Sequence, residues 1–434
     1  MKKPIAILLA LCMTLTLFGT ALANEGEKRV LTFNTNSFAA PQNIPGLAEA
    51  FAKWEKENNA TLEITLGVDD YLPKLLQDIN AGNVADVSFV DGSNLAEVAS
   101  TGALIPLDKW FTPEMQAEHF DYAIKGSTID GKIMSMWFHA GLWNLYYRKD
   151  LLAEAGYTNP PKDWNELLEM GKKLTVDNEN DGIIDRYALG IPGFGDAVTV
   201  CTLLPWFWGN GKGVELTDGQ SMVAFGEGPA YDAMLNTLTF IQKLINEKIV
   251  SPEMASIKFT DVEANFVGDQ TAMAILGSWH YPLMKDSGGP EFIEKIGIAD
   301  IPAVPGQDPV TTAGGWTIGM FCKDPEQQEL AWSFINFYRG PEVQTLLTRI
   351  GQMTSLKSVY EQPEFANDPA WVSFAQALVG GHTRDAVPFY SAVDESYKRL
   401  IQAAATGDQD LGATIKMEAE EAQKVADSIM GKTP

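Results

Sequence analysis

Between Val30 and Val90 the chain switches repeatedly between two hydrophobic periods. Val30 to Asn34 reads as a short strand, VLTFN. Leu47, Ala50, Phe51 and Trp54 then recur at helical spacing. Leu62, Ile64 and Leu66 alternate as a strand does. Leu72, Leu75, Leu76 and Ile79 are helical again, up to Gly82-Asn83, and Val87 to Val90 is a third strand ending at Asp91-Gly92. This β-α-β-α-β order predicts a parallel sheet with helices packed on its faces. Ligands of such sheets bind beyond the carboxyl ends of the strands. That rule points at Asn34-Thr35-Asn36-Ser37 and at Asp91-Gly92-Ser93.

A second unit begins near Tyr146. Asp163 is placed to cap a helix with Glu166 at its third position, and Leu167, Leu168, Gly171 and Leu174 form the inner face. Further helical patterns run near 230–246, 327–338 and 393–405, and a charged amphipathic helix is predicted from Ile415 to Met430. The 434 residues allow two or three domains. No repeat or Gly/Ser linker separates them, so the units are expected to pack together.

The N-terminus reads as an export signal. Met1-Lys2-Lys3 is basic, Ile5 to Phe18 is apolar, and Ala21-Leu22-Ala23 is an A-x-A cleavage pattern before Asn24. Residues 1–23 are therefore taken as a signal peptide, and the apolar run is short for a membrane span. Cleavage removes two lysines and no acid, making an acidic chain more so. With 32 Lys+Arg against 57 Asp+Glu, the net charge is −25. Such a chain repels nucleic acid and anionic membrane surfaces. Cys201 and Cys322 survive cleavage. They could pair in an oxidising compartment or remain as two buried thiols.

The motifs of several catalytic classes are missing: HExxH, CxxC, a P-loop, G-x-S-x-G and a GxGxxG after a strand. The four histidines lie far apart, without metal-ligand spacing. No catalytic residue is assigned. The tryptophans say more. Several stand beside Gly, Asn or His: W-F-H-A-G from Trp137, P-W-F-W-G-N-G from Pro205, G-S-W-H-Y from Gly277 and G-G-W from Gly314. A flat indole can stack on a pyranose, or simply fill a core. Loops held by a rigid scaffold favour the first use. One further loop, Asp177 to Asp185, places acids at positions 1, 3, 5 and 9 around Gly182. Asp177, Glu179, Asp181, Ile183 (through its carbonyl) and Asp185 could hold a structural Ca²⁺. Ala188 replaces the position-12 Glu of a full EF-hand loop, and a metal-free acidic turn is the alternative.

Ordered segments along the whole mature chain resemble a known family. They are LAEVASTGALIPLD (Leu95 to Asp108), DGKIMSMWFHAGLWNLYYRKDL (Asp130 to Leu151), FVGDQTAMAILGSWH (Phe266 to His280), AGGWTIG (Ala313 to Gly319) and HTRDAVPFY (His382 to Tyr390). The sequence is similar to the maltose-binding-protein-like family 1 of extracellular solute-binding proteins, which serve ABC-type sugar importers. The resemblance implies an α/β, type II periplasmic-binding-protein fold with two lobes and a ligand cleft between them. It assigns residues 27–138 and 301–352 to the N-terminal lobe, and 139–300 and 353–434 to the C-terminal lobe. Crossovers fall near Trp137 to Gly141, Ala299 to Pro302 and Gly351 to Leu356.

The resemblance also implies a function: capture of a sugar or oligosaccharide by hinge closure, and delivery to membrane permease subunits. A periplasmic monomer that breaks no bond and needs no cofactor is expected. Residues assigned to the cleft are Asn36, Tyr71, Asp91, His139, Trp143, Trp206, Trp279, Gly315, Trp316 and Arg384. Trp279 matches the family's stacking position, and Arg384 could fork onto vicinal hydroxyls or an anion. Two alternatives stay open. One is a secreted glycoside hydrolase, which would need two facing carboxyls. The other is the same fold holding a polyol, a sugar phosphate or a peptide.

Overall fold

The computed structural model describes residues 28–67, 71–211, 215–216 and 222–431. The expected signal peptide lies outside them. Among the described residues no helix is long and apolar enough to cross a membrane.

The strand and helix pattern read from Val30 onward is realised closely in the described residues up to Val90. Strands Arg29–Thr35, Ala60–Leu66 and Val87–Asp91 pair in parallel, with Arg29–Thr35 in the middle of the three. Helix Leu47–Asn58 buries the four residues of its apolar stripe, Leu47, Ala50, Phe51 and Trp54. They pack against Phe33 of the sheet and Phe334 of a later helix, Pro325–Tyr338. Helix Tyr71–Ala81 fully buries only Leu75, although four apolar residues mark its stripe.

The same sheet is completed by distant strands. Trp316–Met320 runs antiparallel to Val87–Asp91, and Met136–Trp137 pairs at the edge beyond it. A second sheet is built around the long strand Gly141–Arg148. Its order is Gly381–His382, Thr311–Gly314, Gly141–Arg148, Thr271–Gly277, Tyr187–Gly190, with Ile296–Ala299 also paired to Gly141–Arg148. Helix Trp164–Leu174 covers this second lobe. Asp163 caps it through Asn165 N and Glu166 N, and the Glu166 side chain reaches back to Lys162 N. Helices Gly228–Asn246, Tyr390–Thr406 and Leu411–Ile429 complete the second layer.

Each lobe has its own apolar core. One joins Leu31, Phe33, Phe89, Ile318 and Phe334; the other joins Trp164, Phe207, Ile241, Met273 and Tyr397. A third cluster spans the junction, packing Tyr122 and Trp137 against Leu142, Met353 and Phe374. Cys201 belongs to the second core and Cys322 to the first, and both are free thiols. The disulfide left open by the sequence is absent.

The chain passes between lobes three times. The first passage runs through Phe138 to Ala140, between strands Met136–Trp137 and Gly141–Arg148. The second falls later than the resemblance implies. Ile301 and Val304 sit in the second lobe's core, Ala303 bridges Asp163, and Thr311–Gly314 pairs with Gly141 and Leu142. The return therefore occurs at Gly315, not at Ala299 to Pro302. The Ile301-Pro302 step, where the resemblance puts a crossover, packs instead against Trp206, whose indole N–H donates to Pro302 O. The third passage follows helix Pro341–Arg349, and Ala140 N donates to Met353 O at 2.6 Å.

These passages touch through backbone. Trp316 N donates to His139 O at 3.2 Å, and His139 N donates back to Trp316 O at 3.3 Å. Gly315 has φ +153°, and a Cβ there would lie 2.1 Å from His139 O. Gly351 has φ +82°, and a Cβ there would lie 2.3 Å from Trp279 Cα. Gly315→Ala should therefore separate the crossing strands. We expect a loss of about 2 kcal/mol or more of stability, as for other side chains forced into a special backbone position. Chemical denaturation measures it, and an unchanged midpoint would refute the tight crossing.

Candidate ligand-binding cleft

The carboxyl ends of the first-lobe strands meet the crossing strands, as the open-sheet rule requires. Asp91 ends its strand and turns back on itself. Its Oδ1 accepts from Ser93 N at 2.9 Å and Ser93 Oγ at 2.5 Å. It stands opposite Trp316 in the ladder, and Gly92 N donates to Gly315 O at 2.8 Å. The Tyr71 ring meets the Trp316 ring edge-on at 5.2 Å, while its hydroxyl bonds Ser88 Oγ at 2.8 Å. Asn36 Oδ1 approaches the same corner, 3.1 Å from where a Cβ on Gly67 would stand. Phe38 lies between Trp316 and His139, 6.1 and 5.5 Å from the two rings.

From the second lobe come Trp143 and Trp279, edge-to-face at 5.3 Å. Gly141 and Gly277 have no side chain to obstruct the two indoles. A Cβ on Gly277 would stand 2.2 Å from the Trp279 ring. Trp279 thus sits at the first and third crossings together. Asn36, Tyr71, Asp91, His139, Trp143, Trp279, Gly315 and Trp316 are all gathered along the junction between the lobes.

Trp206 is not. It is 1% exposed and packs edge-on against Trp164 and Phe240 in the second core. The sequence placed P-W-F-W-G-N-G in a loop, but Ala197–Gly209 is one helix with Pro205 inside it. Two residues on a helix differ by about 200°, so Trp206 is enclosed in the core while Trp208 is only partly buried at its margin. Trp208 meets the His382 ring at 4.6 Å. Helical periodicity would have found it.

Arg384 is the centre of a buried polar cluster. Its side chain is 7% exposed and pairs with Asp394 at 3.0 Å. Nη2 also donates to Cys201 Sγ at 3.0 Å, and the guanidinium lies 5.9 Å from the Tyr390 ring. Burial alone would lower the Arg384 guanidinium, but Asp394, Cys201, Tyr390 and the first lobe's Asp91 hold it well above its ordinary value. Burial pushes Asp394 up, with Arg384 opposing, and pushes the Cys201 thiol up to about 11. The lobes also approach nearby, where burial raises the carboxyl of Glu97 in helix Leu95–Ser100 and Ser391 opposes that rise.

Several buried polar atoms of these residues have no partner in the protein: both ring nitrogens of His139 and Arg384 Nε. Burial pushes the His139 imidazole down to about 3, so it is neutral and offers one donor and one acceptor. Buried polar groups are normally paired. A polyhydroxylated ligand could pair with donors and acceptors alike.

The acidic loop is arranged otherwise. Asp177 accepts from Asp181 N and Gly182 N, Asp181 from Ile183 N, and Asp185 from Asn178 N. Its carboxylates cap their own turn, and the Ile183 side chain is 70% exposed. Among the described residues, no group of three or more His, Cys, Asp or Glu stands together to hold a metal ion.

Two α/β lobes, exchanged strands and a cleft at the crossings define the type II periplasmic-binding-protein architecture. The bacterial extracellular solute-binding protein family model matches residues 40–345, and the chain belongs to that family. A putative binding protein of Brucella abortus is 25% identical over 419 residues, covering 95% of this chain and 96% of that one. A probable ABC transporter-binding protein of Deinococcus radiodurans is 29% identical over 340 residues, 75% of each chain. The maltose-bound MalE3 of T. maritima has the same fold, with a TM-score of 0.77 at 24% identity, covering 91% of this chain and 99% of that one.

Beneath Arg384, the buried Glu215 accepts from the Tyr390 hydroxyl at 2.6 Å. Burial pushes its carboxyl up to about 7, against the Tyr390 bond. The folded state thus holds this proton more tightly than the unfolded chain does. The contribution is complete below the unfolded value of 4.5 and is lost as pH rises through about 7. Glu215→Gln keeps an acceptor for Tyr390 and removes the titration. It should be more stable than the parent above neutrality, by up to about 3 kcal/mol. Parallel melting curves in acid and mild alkali would show it; identical pH slopes would refute it.

Proposed function

We propose that this protein is the substrate-binding component of an ABC importer, exported through its N-terminal signal to the periplasm. Its ligand is a neutral sugar or oligosaccharide, held as the lobes close and handed to membrane permease subunits. The observation that carries this reading is the junction itself. Aromatic rings reach it from both lobes: Tyr71 and Trp316 from one, Trp143 and Trp279 from the other. Both ring nitrogens of His139, which pairs with Trp316 at the crossing, have no partner. Rings can cover the apolar faces of a pyranose while those atoms pair with its hydroxyls. The maltose held by the T. maritima relative supports a sugar.

Asp91 and Asp394 both act on Arg384, which counts against a phosphate or carboxylate ligand. A guanidinium already neutralised by carboxylates gives an anion little net attraction. A hydrolase would act repeatedly on its substrate. Incubation with excess oligosaccharide should return it intact, and multiple turnovers would replace this reading.

A thermal-shift panel of mono- and oligosaccharides identifies the ligand. A true ligand at a hundred times its Kd adds about 2.7 kcal/mol to stability. Removal of the Trp279 ring should then weaken affinity roughly ten- to a hundredfold, as loss of a central aromatic does. Calorimetry on Trp279→Ala with unchanged circular dichroism is the test. Undiminished affinity would remove Trp279 from the site.

A further inference from the structure

The Trp279 backbone and the Trp279 ring are held by different means. Beside it in the chain, Ser278 Oγ donates to Gly351 O on the third passage at 2.8 Å. That bond fixes the main chain where strand Thr271–Gly277 gives way to helix His280–Lys295. The side chain is only partly buried, so part of its indole stays open to a ligand. A ring in that position keeps one rotamer only if its neighbours exclude the others.

Two rings flank it. Trp143 meets the indole edge-on at 5.3 Å, and the His280 imidazole lies 5.3 Å away, tilted by 36°. Gly277 leaves bare backbone against the indole, since a Cβ there would stand 2.2 Å from it. The imidazole is itself anchored. It is 2% exposed, lies 6.1 Å from the Phe259 ring, and donates from Nδ1–H to Glu263 Oε2 at 2.7 Å. An ionised carboxylate only accepts, so the bond makes Nδ1 the protonated nitrogen. Phe259 and Glu263 both belong to helix Phe259–Val267. A buried imidazole left without this partner would carry the cost of an unmade hydrogen bond. Glu263 therefore keeps the His280 ring against the indole.

We propose that Glu263 and His280 are positioning residues for ligand capture. The carboxylate fixes the imidazole, and the imidazole holds the Trp279 indole in the rotamer that stacks on the sugar. What the ring meets rests on the sugar reading above; how the ring is held rests on these contacts alone. A ring already in place binds more tightly, because its ordering is no longer charged against association.

Fluorine NMR of the full chain labelled with fluorotryptophan tests the holding without any ligand, and Trp279→Phe identifies the signal. Glu263→Ala should shift and broaden it as the ring samples other rotamers. His280→Leu should disturb it likewise. Glu263→Gln, whose amide oxygen still accepts from Nδ1, should restore the parent signal. In the His280→Leu background, Glu263→Ala should add no further change, since the link it breaks is already gone. An unchanged signal in Glu263→Ala or His280→Leu overturns the proposal. So does a further change in the double variant, or a Gln variant as disturbed as the Ala one. Calorimetry with maltotriose is the second arm. Glu263→Ala should bind up to about tenfold more weakly than the parent, and Glu263→Gln should recover most of that loss. Equal affinity in Glu263→Ala despite a displaced signal overturns the role in capture. A parent that binds neither maltotriose nor any other sugar, with the signals behaving as expected, overturns the sugar reading and leaves the holding of Trp279 in place.

Discussion

The close passage of backbone at Gly315 and His139 is the constraint on which the rest of this molecule depends. Two strands leave their sheets here, and each satisfies the other's amide groups as it goes. A backbone segment that crosses between cores must find partners for its N–H and C=O groups, since unpaired ones are costly when buried. Pairing the crossings with one another meets that need without fixing them to either lobe. It also makes glycine obligatory at Gly315, where any side chain would strike the His139 carbonyl. The cleft residues inherit their positions from this knot: Trp316 and His139 are members of it, and Trp279 abuts Gly351 at its rim.

The second-lobe cluster obeys a different rule. Arg384, Asp394, Tyr390 and Glu215 bring two acids and one base into a space with little water. A buried ion pair adds little net stability, because desolvation offsets its attraction. Its worth lies in directing polar groups at a defined point. Burial keeps Glu215 protonated up to about 7, which limits the charge placed beneath the cleft. The cluster is thus tolerable energetically because one of its members is neutral.

Much of this was legible in the amino-acid sequence, and the remainder was hidden for physical reasons. Period-2 and period-3.6 patterns located the first-lobe strands and helix Leu47–Asn58 because each buries one face. The family segments brought Trp143, Trp279, Trp316 and Arg384 to notice. Trp206 was misread because tryptophan beside glycine suggests a loop, although the run fits a helix end. The late return at Gly315 is hidden because nothing in the pattern of residues 301–314 says which sheet they join; only pairing with Gly141 and Leu142 assigns them to a lobe. Glu215 carries no motif, since its role arises from Tyr390, far along the chain. Long-range proximity of this kind leaves no local periodicity.

Strand exchange has a consequence for the order in which the protein can assemble. Trp316–Met320 sits between Val87–Asp91 and Met136–Trp137, and Thr317 Oγ1 reaches Val90 O across 227 positions of sequence. The first sheet therefore lacks an interior strand until most of the polypeptide has been made. Contacts of such long separation slow folding, because the loop must close before they reward it. Until that strand arrives, Val87–Asp91 has one edge without a partner, and the first lobe cannot close its sheet.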